Sequence, residues 1–242
     1  MTCYKGEPEN SEHGAALRML EQVLPSTISA HIFSDLRRRI IEGDYVPGQP
    51  LREEEIREMH GSSRGPIRES LRMLLQTGLV EHRPRRGFRV RDYTPEDIRQ
   101  IYRLRAALEA QVIEELAGGE TDALLRALEE SCSVMRACYE RADLATYFEE
   151  NRRFHQKLVE GANNRILAEV LDYVTEVSLP VRYRLLGDAL PSRRSLTYHE
   201  QIVAFLRAGE IGEARRLTEE HILENLERAV EAFAADGDAS GH

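Results

Sequence analysis

The stretch from Ser62 to Gly78, Ser-Ser-Arg-Gly-Pro-Ile-Arg-Glu-Ser-Leu-Arg-Met-Leu-Leu-Gln-Thr-Gly, constrains what this chain can fold into more than any other. Ser62 or Ser63 is placed to cap the free N–H groups of a helix start, and Pro66, in the first turn, has no N–H that needs an intrahelical partner. Gly78 is a natural stop, because glycine takes the left-handed conformation that follows a last turn. Ile67, Leu71, Leu74 and Leu75 fall at i, i+4, i+7 and i+8, which makes one apolar face that has to be buried. Arg64, Arg68 and Arg72 recur every four residues on another face, so the packed helix displays three guanidinium groups in a row. Such a row suits DNA, and Arg64 and Arg68 rank above Arg72 because recognition helices present their N-terminal residues to the bases.

The flanking segments supply the rest of a DNA-binding unit. From Ser26 to Glu42 the residues Ile28, Ile32, Phe33, Leu36, Ile40 and Ile41 share one helical face, and Gly43-Asp44 ends the run. Tyr45-Val46-Pro47-Gly48-Gln49-Pro50 reads as a turn, and Leu51 resumes an ordered segment. A short helix follows from about Glu53 to His60, with Ile56 and Met59 inward, and Gly61 breaks it; Glu53-Glu54-Glu55 is read as first-turn charge favoured by the helix dipole. Helix, turn and helix is the arrangement that lays a second helix in the major groove. After Gly78, Leu79 to Arg83 and Phe88 to Arg91 read as strands joined by Pro84-Arg85-Arg86-Gly87. That hairpin is a wing, with Arg85 and Arg86 placed to reach phosphates or a neighbouring minor groove.

The net charge of −9 argues against nucleic acid until it is divided along the chain. Residues 26 to 93 hold 13 Arg and no Lys against 10 acidic residues, whereas residues 94 to 242 hold 18 basic and 28 acidic. An acidic body therefore carries a basic head, and residues 61 to 91 alone reach +6. With 41% hydrophobic and 31% charged residues, the composition is that of an ordinary soluble protein. No apolar run approaches bilayer length, and the opening residues lack the basic-then-apolar layout of a signal peptide, so a cytoplasmic protein with no membrane partner is expected. Cys3, Cys132 and Cys138 have no metal-finger spacing; free thiols are expected, with Cys132 and Cys138 on different sides of a helix.

Beyond Asp92-Tyr93 the chain reads as helical throughout. Thr94-Pro95-Glu96-Asp97 is a strong start, with Thr94 as N-cap, Pro95 at the first helical position and Asp97 reaching back. That helix runs to about Ala117 with Ile98, Ile101, Leu104, Leu108 and Leu116 inward, and Gly118-Gly119 closes it. Further helices are expected at 121 to 140, 143 to 160, 163 to 186 with a break near Pro180, 192 to 208 and 211 to 235, with Asp143 and Ser192 as caps. The fold class is thus mainly α: a mobile tail over 1–25, a winged helix-turn-helix of three helices and a hairpin over 26–92, an antiparallel bundle of six or seven helices over 94–235, and a disordered tail over 236–242.

Pro47-Gly48, Ser63-Arg64-Gly65-Pro66-Ile67-Arg68-Glu69-Ser70-Leu71, Gly78-Leu79-Val80 and Arg85-Arg86-Gly87 together resemble the GntR superfamily of bacterial transcription regulators, in its FadR-like branch with a helical FCD effector domain. The family usually has Thr at Gly65, Val at Ile67 and Ala at Ser70. The resemblance implies that Ser63, Arg64 and Arg68 contact bases or adjacent phosphates and that Gly87 lets the wing backbone approach DNA. It extends to Asn151-Arg152-Arg153-Phe154-His155, to Tyr198-His199-Glu200-Gln201-Ile202 and to His221, and it implies a divalent metal held by Asn151, His155, His199 and His221. The spacing agrees with this: residues 151 and 155 are one helical turn apart, and His155, His199 and His221 keep step with the inward Leu158, Ile202 and Leu217. Three imidazoles and an oxygen suit zinc or nickel. Asn151 stands where the family has Asp, and its neutral amide oxygen implies a lower metal affinity. Arg105 matches an arginine the resemblance places near the pocket, with Arg182 and Arg184 as further candidates for binding a small organic acid; for Arg105 an ion pair within the bundle is the alternative.

The expectation is a homodimeric, ligand-responsive repressor of a catabolic operon that binds a near-palindromic operator, dimerisation following from the two-fold logic of half-sites. Two alternatives share the same histidines: a mononuclear metal enzyme in the helical half, which lacks an evident general base, and a metal sensor without an organic effector.

Overall fold

A computed structural model of the chain describes residues 27–118, 122–186 and 193–239. The expectations for the tail over 1–25, Cys3, Gly119 and the cap Ser192 lie outside the described residues, as do those for 240–242. The described residues form ten helices and one three-stranded antiparallel sheet.

The head consists of α1 (Ile28–Glu42), β1 (Pro50–Leu51), α2 (Glu53–His60), α3 (Arg64–Thr77), β2 (Val80–Arg83) and β3 (Gly87–Val90). The Thr27 hydroxyl accepts from the Ala30 N–H at 3.1 Å to start α1, and Gly43 ends it at φ +89°. Ser63 holds the N-cap position of α3 with extended backbone but makes no side-chain cap bond, contrary to expectation. One cause is local: Pro66 occupies the third helical position and removes one of the two N–H groups a capping serine engages. Gly78 closes α3 at φ +78°, donating its N–H to the Leu75 carbonyl. Ile67, Leu71 and Leu74 pack with Ile32, Leu36, Ile40, Ile56, Leu79 and Val90 into one core. Leu75, Met59 and Ile28 are exposed rather than inward. Leu75 lies just off the narrow stripe that meets α1 and β2, whereas Ile28 and Met59 sit at helix ends beyond the reach of that core.

The sheet order is β1-β3-β2. The wing hairpin pairs Val80 with Val90 and Arg83 with Gly87, and β1 adds a third strand, Leu51 opposite Phe88, that two residues are too short to announce in sequence.

The body consists of α4 (Pro95–Glu115), α5 (Asp122–Glu140), α6 (Leu144–Gly161), α7 (Arg165–Leu186), α8 (Arg193–Ala208), α9 (Ile211–Leu223) and α10 (Leu226–Ala239). Thr94 and Asp97 form the expected reciprocal capping box at the start of α4. One core unites Phe154, Tyr147, Met135, Leu128, Ile202 and Leu217; a second gathers Ile98, Tyr102, Val181, Ile222 and Phe233 beneath Tyr93. Cys132 and Cys138 are free and both buried in the first core, because α5 is flanked by α6 on one side and α8 on the other.

Four expectations fail in instructive ways. Helix α7 runs through Pro180 without a break. Proline in a helix interior costs about 3 kcal/mol, and here burial of Val174, Val177, Pro180 and Val181 against neighbouring helices offsets it. The expected helix over 211–235 is two, because the chain turns at Glu224 and Asn225 so that Ala229, Val230 and Phe233 fold back over Tyr93 and Tyr102. The second of these, α10, runs to Ala239, so residues 236–239 are helical rather than a disordered tail. Finally, Leu104 is 47% exposed while Arg105 and Glu109 are buried. Helix α4 is rotated to turn an ion pair inward at the expense of a leucine.

Head and body meet along α7. Arg37 of α1 makes two hydrogen bonds to Glu176, Nε to Oε1 at 2.6 Å and Nη2 to Oε2 at 2.7 Å. The Tyr93 hydroxyl donates to the Val177 carbonyl at 2.8 Å, and Gly78 lies directly against Tyr173 and Val177.

Candidate metal centre and nucleic-acid interface

Helix α6 carries Asn151 and His155 one turn apart, α8 carries His199 and α9 carries His221. The inward apolar periodicity of each helix brings them together: the ligand atoms of the three histidines all lie within 4.8 Å of one another. His155 Nε2 and His199 Nε2 are 3.3 Å apart. Two imidazoles on a tetrahedral ion at about 2.0–2.1 Å need a separation of roughly 3.3 Å. The Nδ1 atoms of His199 and His221 are buried without a hydrogen-bond partner among the described residues. Burial, followed by the other two histidines, holds His199 well below its ordinary pKa, and burial and His155 push His221 down to about 3. Both are therefore neutral donors at physiological pH, the form a metal requires. Asn151 is buried one turn before His155, with a neutral oxygen to offer.

Behind the histidines stands a carboxylate the sequence reading missed. Glu109 Oε2 is 2.9 Å from His155 Nδ1, and Glu109 Oε1 accepts from Arg105 Nη2 at 2.8 Å. Burial opposes the charge of Glu109, but Arg105 and His155 hold its pKa well below the usual carboxylate range. A carboxylate this close to Nδ1 favours the tautomer that carries its proton there and leaves the Nε2 lone pair for the side of His199, as in the relay typical of metal-ligating histidines. Arg105 thus makes the intrabundle ion pair, and it does so beside the histidines, so both readings of it converge on one place. Arg182 shares this surrounding: burial first, then Arg105, lowers its pKa to about 10. Two guanidinium groups and one carboxylate leave positive charge beside the three histidines. Arg184 instead lies over the Phe233 ring, 4.2 Å from its centroid.

At the other end of the molecule Ser63, Arg64, Arg68 and Arg72 are all exposed along α3, and Arg85, Arg86 and Gly87 are exposed at the wing tip. Gly87 has φ +76° with nothing within 4 Å of where a Cβ would stand, and Arg85 takes φ +66°, uncommon for a residue with a side chain. The tip is thus a tight turn with both arginines outward. Arg72, Arg85 and Arg86 have no ion-pair partner among the described residues. Arg68 differs: its Nε donates to both carboxylate oxygens of Glu53, at 3.1 and 2.9 Å.

Comparison with known proteins gives this geometry a context. Residues 28–90 match the model of the bacterial regulatory proteins of the gntR family, and residues 100–224 match the FCD domain. An HTH-type transcriptional regulator of Bacillus subtilis, YdhC, is 30% identical over 63% of this chain and 69% of that protein. The HTH-type transcriptional repressor RspR of Escherichia coli is 28% identical over 81% of this chain and 86% of its own length. A solved structure of a GntR regulator from Rhodococcus superposes with a TM-score of 0.66 at 26% identity, covering 84% of this chain and 98% of the other.

Proposed function

On the premise that the chain belongs to the GntR family with a C-terminal FCD domain, a family of DNA-binding transcription regulators and not of enzymes, we propose that it is a ligand-responsive repressor of a catabolic operon. In this reading residues 26–92 bind one half of a near-palindromic operator, residues 94–235 bind the effector and dimerise, and the protein works in the cytoplasm as a homodimer. Arg64 and Arg68 read base edges, with Ser63, Arg72, Arg85, Arg86 and the Gly87 backbone placed on the phosphates. No described helix is long and apolar enough to cross a membrane.

The observation that carries the ligand response is the Arg105–Glu109–His155 chain ending at His199 and His221. Asn151, His155, His199 and His221 would hold zinc or nickel, and such an ion supplies a cationic centre for a carboxylate. The protein's own residues do the remainder: Glu109 orients His155, and Arg105 and Arg182 favour an anion over a neutral ligand of the same shape. A small organic acid is the effector class this charge selects.

Helix α7 is the route to the head. It holds Arg37 through Glu176, Tyr93 through Val177, and carries Arg182 beside the Arg105–Glu109 pair. Residues 176 and 182 are separated by about 9 Å of helix, so a shift of α7 at the pocket displaces the head directly. A ligand that prefers one position of α7 changes the spacing of two heads, and the operator rejects the wrong spacing. A metal sensor without an organic effector would use the same histidines, but Arg105 and Arg182 would then serve no ligand. The test is to select bound duplexes from a genomic library with the metal-loaded protein, then to screen small acids for release. An enriched near-palindrome released by an acid supports the reading; release by metal alone, unchanged across the acids, would replace it with the sensor.

A further inference from the structure

Of the three consecutive carboxylates that open α2, two are paired within their own segment, Glu55 with Arg52 at 2.9 Å and Glu54 with Arg57. Glu53 alone reaches across to α3, where it meets Arg68. The geometry of that contact is selective. Both carboxylate oxygens receive the same Nε–H, and the terminal Nη1 and Nη2 groups have no partner among the described residues. That terminal edge presents two parallel N–H donors, the pattern that engages O6 and N7 of guanine in the major groove. The pair is also open: the side chains of Arg68 and Glu53 are 59% and 33% exposed, so the arginine is accessible while the glutamate holds it.

We propose that Glu53 is a specificity-determining residue of DNA readout, holding the Arg68 guanidinium by its Nε so that the terminal edge faces the bases. This rests on the reading of Arg68 as a base contact. Two physical consequences follow together. A free arginine loses side-chain entropy when it docks, and a guanidinium already held by one carboxylate loses less. A carboxylate at the DNA face also repels phosphates, which weakens binding to every sequence alike. Positioning strengthens the right sequence and repulsion weakens all of them, so Glu53 widens the gap between the two without maximising affinity. The carboxylate itself is favoured at the first turn of α2 by the helix dipole.

The test uses the full chain and two probes: a duplex enriched by the wild-type protein from a random library, and a scrambled duplex of the same composition. Arg68→Ala should lose about five- to 150-fold on the selected duplex. Glu53→Ala should lose about two- to fivefold on the selected duplex while gaining a comparable factor on the scrambled one. Glu53→Gln, which keeps an acceptor for Nε but no charge, should gain on the scrambled duplex and retain most of the selected affinity. In an Arg68→Ala background the loss caused by Glu53→Ala on the selected duplex should disappear, leaving the same gain as on the scrambled one. Glu53→Ala tightening both duplexes equally would reduce Glu53 to a charge, and weakening both equally would reduce it to a structural residue; either overturns the proposal while leaving Arg68 intact as a reader. Unchanged selected binding by Arg68→Ala removes the base contact and Glu53's role with it.

Discussion

Gly78 carries two constraints at one position. Its backbone is left-handed, at φ +78°, and a Cβ there would lie 2.6 Å from Val177 Cγ1 and 2.8 Å from the Tyr173 hydroxyl. Gly78→Ala therefore combines a strained backbone with an overfilled contact and should cost about 2–5 kcal/mol in urea unfolding. Gly43 has φ +89° but nothing within 4 Å of a Cβ, so Gly43→Ala isolates the backbone cost, about 1–2 kcal/mol. Equal losses at the two sites would show that the end of α3 does not press on α7. His199 is the corresponding position in the body, buried and aimed at two other imidazoles. His199→Ala should lower bound zinc, measured by elemental analysis after dialysis, with the protein still folded and still binding DNA; full occupancy would remove His199 from the site. The family resemblance marked the three histidines, and their keeping step with inward leucines or isoleucines agreed with it. Neither marked Glu109, since Arg105 and Glu109 at i and i+4 look like a solvated pair until the rotation of α4, with Leu104 outward, is known. Glu53 was hidden for a similar reason: only the crossing of α2 and α3 brings it to Arg68.

Helix starts and stops were legible at Thr94, Asp143, Gly43, Gly61 and Gly78, where a side chain or a glycine defines them. The boundaries that misled depend on packing that no local pattern records: Pro180 lies within α7, and the turn at Glu224 and Asn225 has neither glycine nor proline to announce it. The capping box of α4 allows a test at this scale. Thr94→Ala should cost about 1 kcal/mol. Asp97 has its pKa lowered, first by the Thr94 hydroxyl and then by the Thr94 backbone N–H. A depressed carboxylate stabilises the fold at pH above its unfolded value, near 3.8, and that contribution is lost as pH falls through the lower folded value. The urea midpoints of wild type and Asp97→Ala should therefore differ at pH 7 and converge below about pH 3.8; a difference that persists in acid would mean that packing, not the ionised cap, is what Asp97 contributes.

In the whole molecule, a basic head and an acidic helical body share α7 as their common wall. The head–body division was readable from charge and from the Asp92-Tyr93 junction, but the contact between the two was not, because Arg37 and Glu176 are 139 residues apart and neither lies in a recognisable motif. That contact makes regulation at a distance physically plausible, since the pair is largely buried, at 12% and 18% side-chain exposure, and is well placed to transmit a displacement. The central claim, that occupancy of the bundle controls DNA binding by the head, is tested most directly by fluorescence anisotropy on the selected duplex. Dissociation constants would be measured with and without zinc and the releasing acid, for wild type and for Arg37→Ala. A shift of about five- to 150-fold is expected in wild type and a smaller one in Arg37→Ala. A wild-type protein whose affinity for its duplex is the same with the bundle stripped, metal-loaded or acid-bound would contradict it.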